Sequence, residues 1–162
     1  MPETRIAIED PRHEDVRRLL GRHLDFAHRH SPPEDIHALE VDALLDPAIT
    51  FYGLREDGAL LAVGALKQLN ATHGELKSMH TAEEARGRGL GRTMLQHLLD
   101  VARDRGLERV SLETGSMEAF APARSLYASV GFEPCEPFGS YSSSRNSEFL
   151  TMTLKPSAPS GR

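Results

Sequence analysis

The chain has one cysteine, Cys135, and no tryptophan. A lone thiol excludes an intramolecular disulfide framework and suits a reducing compartment. Long apolar runs are also missing. None approaches the roughly 18–20 residues that cross a bilayer, so no membrane partner is expected. The opening MPETRIAIEDPRHED has no apolar stretch of the kind a signal peptide carries. The expected compartment is the cytoplasm. Positive charge is not in excess: 19 Lys and Arg face 24 Asp and Glu, for a net charge of -5. An acidic balance without an aromatic platform argues against a nucleic-acid partner. It is compatible with a cationic substrate. No repeat or low-complexity tract is visible.

What remains is enough for one domain with a proper core, since 39% of 162 residues are hydrophobic. We expect that domain over residues 1–155 and a disordered tail over 156–162. TRIAIED reads as a strand, and Asp10-Pro11 as a helix start with Asp as cap and Pro at the first helical position. Val16, Leu19, Leu20, Leu24 and Ala27 give that helix its apolar stripe. SPPED (31–35) predicts a second helix running to Asp46-Pro47. ITFYGLRE, Asp57-Gly58 and ALLAVGALKQL form a β-hairpin pattern. ELKSMHT is a further strand, on which alternation puts Glu75, Lys77, Met79 and Thr81 on one side. Leu90, Met94, Leu95, Leu98, Leu99 and Ala102 recur with a helical period. RVSLETG is a strand, Ala121-Pro122 opens another helix that stops at Gly131, and FEPC and SEFLTMTL are the last strands. The pattern predicts an α/β fold: a single-domain mixed, mostly antiparallel twisted sheet with a central parallel β-α-β crossover.

One stretch breaks the rules of helix electrostatics. ARGRGLGRTMLQHLL sets Arg86, Arg88 and Arg92 at the N-terminus of a helix, where the dipole is already positive. Gly87, Gly89 and Gly91 stand between them. Glycines allow positive φ and close backbone approach, so successive N–H groups can converge on phosphate oxygens. A bound anion would reverse the sign of the local field and give the arginines a partner. Walker A fails here, because no Lys follows the last glycine. The dinucleotide fingerprint G-x-G-x-x-G fails in both registers, meeting Arg92 or Met94. What fits is R-x-x-G-x-G, from Arg86 to Gly91. The plain alternative is a solvated loop neutralised by Glu83 and Glu84, which would explain the arginines but not three glycines.

On R-x-x-G-x-G, and on ARSLYASVGF (123–132), which fits A-x-x-L-Y-x-x-x-G-F, the chain resembles the GNAT superfamily of N-acetyltransferases. The order of elements matches along nearly the whole chain. HSPPE, SLETG and a Phe-Gly/Ala-x-Tyr segment before the last strand resemble a bacterial subgroup of that family. The resemblance implies the GNAT acyl-CoA N-acyltransferase fold, with acetyl-CoA as co-substrate and no metal. The acetyl group would pass directly, in a ternary complex, to a primary amine of a small molecule, amino acid or peptide. A non-catalytic acyl-CoA-binding or sensor domain is the alternative. A homodimer through the sheet edge is compatible with such a fold.

The same resemblance assigns residues. Arg86, Gly87, Arg88, Gly89, Leu90, Gly91 and Arg92 would cradle the pyrophosphate. Met79, His80 and Thr81 would offer free backbone to the pantetheine arm, with an N–H near Met79 or His80 as donor to the thioester carbonyl. Tyr127 matches the tyrosine that protonates the leaving thiolate, or else it is a core-edge tyrosine. For the base that takes the amine's proton, Glu75 lies fourteen residues before Gly89, as in histone-acetylating relatives. Glu113 on the next strand is the rival, and a water relay would need neither. Glu75 beside Lys77 is otherwise a strand-edge ion pair. Where many relatives have an Asn, seven residues before the tyrosine, this chain has Phe120. An F-x-P-A-R entry brings Arg124 either to the cofactor phosphates or into a surface salt bridge. The acceptor side is less legible: His28, His30, Ser31 and His37 in the first helices, and Tyr141, Arg145 and Asn146 in the late loop, are polar groups that would meet an acceptor or solvent. Cys135 reads as a packed small hydrophobe.

Overall fold

Strands and helices alternate in a computed structural model that describes residues 3–30, 43–139 and 141–154. The order is β1 (Thr4–Ile8), α1 (Glu14–His30), β2 (Ile49–Glu56), β3 (Ala59–Gln68), β4 (His73–Thr81), α2 (Leu90–Asp104), β5 (Arg109–Gly115), α3 (Ala121–Val130), β6 (Glu133–Pro134) and β7 (Ser147–Thr153). Seven strands form one sheet in the order β1-β2-β3-β4-β5-β7-β6. Among the described strands only β4 and β5 run parallel, joined by α2. The expected mixed sheet with one parallel crossover is what is observed. Among the described residues no helix is long and apolar enough to cross a membrane.

The elements follow from local chemistry. Asp57 and Gly58 both take positive φ, at 50° and 87°. That is the geometry of a tight turn whose twist matches the flanking strands. Met94, Leu95, Leu98, Leu99 and Ala102 of α2 are fully buried, as their spacing predicts. Helix α3 begins with Pro in its first turn and ends at Gly131, with φ 124°. The first helix starts later than Asp10-Pro11 predicts. Asp10 instead accepts from the backbone N–H of Arg12 at 2.9 Å and pairs with its guanidinium, making a local turn ahead of Glu14. The helix predicted from Ser31 lies largely outside the described residues, as do Ser31, His37 and the tail. Its far end, Ala43–Leu45, is a short 3-10 turn.

The two faces of the sheet carry different helices. Tyr52 on β2 meets His97 of α2, with ring centroids 4.7 Å apart. Arg55, on the other face, reaches Glu9 at 2.8 Å and Asp15 of α1 at 2.7 Å. These charge-assisted bonds hold the guanidinium well above its ordinary pKa, through Glu9 first and then Asp15. Helix α3 shares the α2 face, since Gly131 at its end lies against Met152 of β7 and Leu126 lies by Gly91.

Strand β4 does not alternate as the sequence pattern predicts. Ala65 pairs with Lys77, yet Val63 pairs with His80. One extra residue is therefore accommodated opposite Gly64, a β-bulge at Ser78 and Met79. Ser78 has φ 56°. A Cβ on Gly64 would stand 2.8 Å from Met79 Sδ and 2.9 Å from Met94, so a larger residue here would force those side chains to shift. Past the bulge the faces exchange. His80 joins Glu75 and Lys77 on the α1 face, while Met79 and Thr81 turn to α2, contrary to the simple period of two.

Candidate active site

β4 and β5 pair only over His73–Glu75 and Arg109–Ser111. Beyond that point Leu76–Thr81 and Leu112–Gly115 diverge and line the two walls of a cleft of about 640 Å³. Backbone groups on the facing edges are thereby left outside the sheet's own ladder, which is the condition for holding an extended ligand between strands. The bulge at Ser78 and Met79 re-aims the end of β4 beside this opening.

One mouth of the cleft is the arginine–glycine turn. Gly87 and Gly89 have φ 82° and 78°, and nothing stands where a Cβ would be. Gly89 is the N-cap of α2. It supplies no side-chain cap, and the first turn of α2 holds no acid. The helix's first turn thus faces the cleft with no side-chain cap and no carboxylate of its own to offset its partial positive charge. Arg86 and Arg92 line the same mouth. Arg86 donates to the Thr81 carbonyl at 3.4 Å and Arg92 to Ser129 Oγ at 2.8 Å.

The structure does not bring all seven predicted cradle residues to the cleft wall. Arg88 turns to the end of β2 and pairs with Glu56, whose carboxyl it lowers below the ordinary value. Arg124 is likewise held away from the lining. It donates to the carbonyls of Gly115 at 2.7 Å and Met117 at 2.8 Å, and pairs with Glu148 at 3.1 Å. Of its two predicted roles, the observed one is the salt bridge, with the added work of pinning the turn between β5 and α3. Phe120, in place of the asparagine, packs its ring on Gly115; a Cβ there would come within 2.3 Å of it.

Met79, His80, Thr81, Gly87, Gly89, Leu90, Gly91, Tyr127, Glu75 and Glu113 all line the cleft. Tyr127 comes from the α3 side and is 7% exposed. Burial raises its phenol to about 12. Its hydroxyl makes no hydrogen bond to a described residue.

The carboxylates come from the α1 face. Glu75 is only 3% exposed. Its Oε2 accepts from Lys77 Nζ at 2.9 Å and from the Tyr141 hydroxyl at 2.6 Å, while Lys77 also reaches the Tyr141 oxygen at 3.1 Å. The pair with Lys77 is a buried one and not a strand-edge contact: the two side chains are 9% and 5% exposed. Glu113 Oε2 accepts from Ser147 Oγ at 2.5 Å. Burial, then the bond to Glu75, then the negative charges of Glu75 and Glu113 raise the Tyr141 phenol, which keeps it a proton donor. The contact between Tyr141 and Glu75 spans 66 positions, and no spacing signal in the sequence announces it. Arg145 and Asn146 stay in the loop before β7, where their carbonyls accept from Ser116. Cys135 is half-buried, and desolvation raises its thiol. Among the described residues no cluster of three or more His, Cys, Asp or Glu is placed to hold a metal.

A mixed sheet split between two parallel strands, with a glycine turn capping the intervening helix, defines an acyl-CoA N-acyltransferase fold. The sequence model of the Acetyltransferase (GNAT) family matches residues 13–132, and the chain belongs to that family. It is a GNAT-type N-acetyltransferase, with acetyl-CoA as the family's acetyl donor. It is 46% identical over 149 residues to the uncharacterized N-acetyltransferase YsnE of Bacillus subtilis (strain 168), covering 92% of this chain and 99% of that one. Among solved structures it is similar to a putative acyl-CoA N-acyltransferase of Klebsiella pneumoniae, with TM-score 0.76, 24% identity, and 94% and 98% of the two chains covered. It is also similar in fold to a GNAT family acetyltransferase of Elizabethkingia anophelis with acetyl-CoA bound, at TM-score 0.69, 16% identity, and 93% and 98% coverage.

Proposed function

We propose that this chain moves the acetyl group of acetyl-CoA directly to a primary amine of a small molecule, amino acid or peptide. One observation carries the reading: a single cleft joins the arginine–glycine turn, the divergent backbone of β4, Tyr127 and Glu75. The pyrophosphate sits at the N-terminus of α2, on the N–H groups of the turn and between Arg86 and Arg92. The pantetheine arm runs along Met79–Thr81, adding in effect a short strand between β4 and β5.

The chemistry follows from the two faces. The acceptor enters from the α1 side, where Glu75 takes a proton from its ammonium and leaves a neutral nucleophile. The amine nitrogen attacks the thioester carbon. A backbone N–H near Met79 or His80 supports the charge that develops on the carbonyl oxygen. As the C–S bond breaks, Tyr127 gives its proton to the departing sulfur from the α3 side. A phenol raised by burial is protonated throughout the neutral range, as that donation requires. Glu113 is the second candidate for the base. Its Oε2 accepts from Ser147, while Glu75 accepts from both Lys77 and Tyr141 on its own Oε2; Glu75 is preferred for its place on β4, fourteen residues before Gly89.

The test is a panel of primary amines, amino acids and short peptides incubated with acetyl-CoA, following free thiol. We expect acceptor-dependent release with one acetylated product per thiol. Release that no acceptor stimulates, from protein that binds CoA, would overturn the reading.

A further inference from the structure

The Phe-Gly-x-Tyr segment before β7 plays no part in the reaction as derived so far. Its residues nevertheless meet at the acceptor end of the cleft. Phe138 lies 5.9 Å, ring to ring, from Phe149 of β7 and 5.7 Å from His73 at the start of β4. Gly139 has φ 58° and reverses the chain. Tyr141 then returns, packed 5.3 Å from Phe138 and 5.6 Å from Phe149. These aromatic contacts fix the ring in two directions. Its hydroxyl lands on Glu75 Oε2 at 2.6 Å, and Lys77 Nζ lies 5.6 Å from the ring centroid.

We infer that Tyr141 is a positioning residue for the base: with Lys77 it clamps Oε2 of Glu75, so that Oε1 is the oxygen presented to the acceptor amine. The inference deepens the proposed function and rests on Glu75 being the base. A glutamate side chain in a cleft can present either oxygen and several rotamers, and proton transfer needs one oxygen within hydrogen-bond reach of the ammonium. Two donors on a single oxygen, one from the same strand and one from a loop braced on β7, remove that freedom. The phenol serves this purpose only as a donor, and its burial beside two carboxylates keeps its proton on. The same contact ties the late loop to β4, so the loop forms one wall of the acceptor site and reports its position to the base. Among the described residues, the charged and titratable groups on the face of Glu75 are His73, Lys77 and His80 on β4, its register partner Lys67 on β3, Glu113 on β5, and Tyr141 itself. The base therefore works inside a network whose balance one hydroxyl can alter.

Tyr141→Phe keeps the ring and removes only the donor. With the best acceptor of the amine panel, kcat should fall roughly tenfold, the size expected for one hydrogen bond to a charged group. The KM for acetyl-CoA should not change. Loss of a donor to a carboxylate favours its protonated form, so the acid limb of kcat/KM should move to higher pH. A purely structural role would lower the unfolding temperature and leave that limb in place. A measurement that needs no acceptor accompanies the kinetics. In carboxyl-carbon NMR, the resonance that disappears in Glu75→Gln should titrate at higher pH in Tyr141→Phe than in the parent chain. An unmoved resonance, or an unmoved acid limb at full kcat, overturns the inference. The two failures are separable. Full activity in Glu75→Gln would remove the base assignment itself, whereas an inactive Glu75→Gln beside an unaffected Tyr141→Phe would remove only the clamp.

Discussion

At the α2 end of the cleft the polar groups are backbone N–H groups of an exposed glycine turn, with Arg86 and Arg92 beside them in solvent. At the other end they are the side chains of Glu75, Lys77 and Tyr141, shielded from water and bonded to one another. The first end suits a ligand common to every reaction in the family, because a phosphate needs only converging N–H groups and positive charge. The second is particular. In a shielded site each hydrogen bond counts for more and each misplaced group is costly, so under the proposed function small changes there would decide which acceptor is taken.

Substitutions can break this comparison. The largest effect is expected at Tyr127, where the two ends meet. Tyr127→Phe should lower kcat by about a hundredfold or more, as loss of a general acid does, with little change in CoA affinity by calorimetry. Because burial raises the phenol to about 12, its own ionisation should not produce an alkaline fall in kcat/KM below about pH 10. A fall at lower pH that vanishes in Tyr127→Phe would contradict this. Next come the carboxylates. Glu75→Gln should reduce kcat by roughly a hundredfold, and Glu113→Gln by clearly less; the reverse order would move the base to β5. The smallest of the three belongs to the turn. Gly89→Ala forces a Cβ into the left-handed region at about 1–2 kcal/mol. That should weaken CoA binding roughly tenfold and leave kcat at saturating acetyl-CoA nearly intact, an effect on the phosphate end alone.

The contrast between the ends also explains what the sequence could reveal. The turn is local: Arg86 to Gly91 are consecutive, their φ values are set by being glycine, and the buried stripe of α2 begins at once. Residues that act through their backbone leave a compact signature. The parallel crossover and the hairpin at Asp57-Gly58 were legible for the same reason. The Glu75 end is assembled across 66 positions, and only the folded sheet places Tyr141 over Glu75. The bulge at Ser78 and Met79 was hidden too. Strict alternation assigns Met79 and Thr81 to the face of Glu75, and one extra residue opposite Gly64 moves them to α2. Nothing in HGELKSMHT marks that bulge. Arg88 and Arg124 show a different limit of the sequence. Both fit a phosphate by type and place in the chain, but nearer partners hold them: Glu56 for one, two backbone carbonyls and Glu148 for the other.

The proposed reaction requires the cleft opened between β4 and β5 to hold the pyrophosphate of the acetyl donor at the first turn of α2. Titration of the purified chain with CoA in a calorimeter tests it most directly, with dephosphorylated pantetheine as the comparison ligand. A saturable heat for CoA that is largely lost with pantetheine is the predicted result. Equal heats from the two ligands, or no heat from CoA at all, would contradict it.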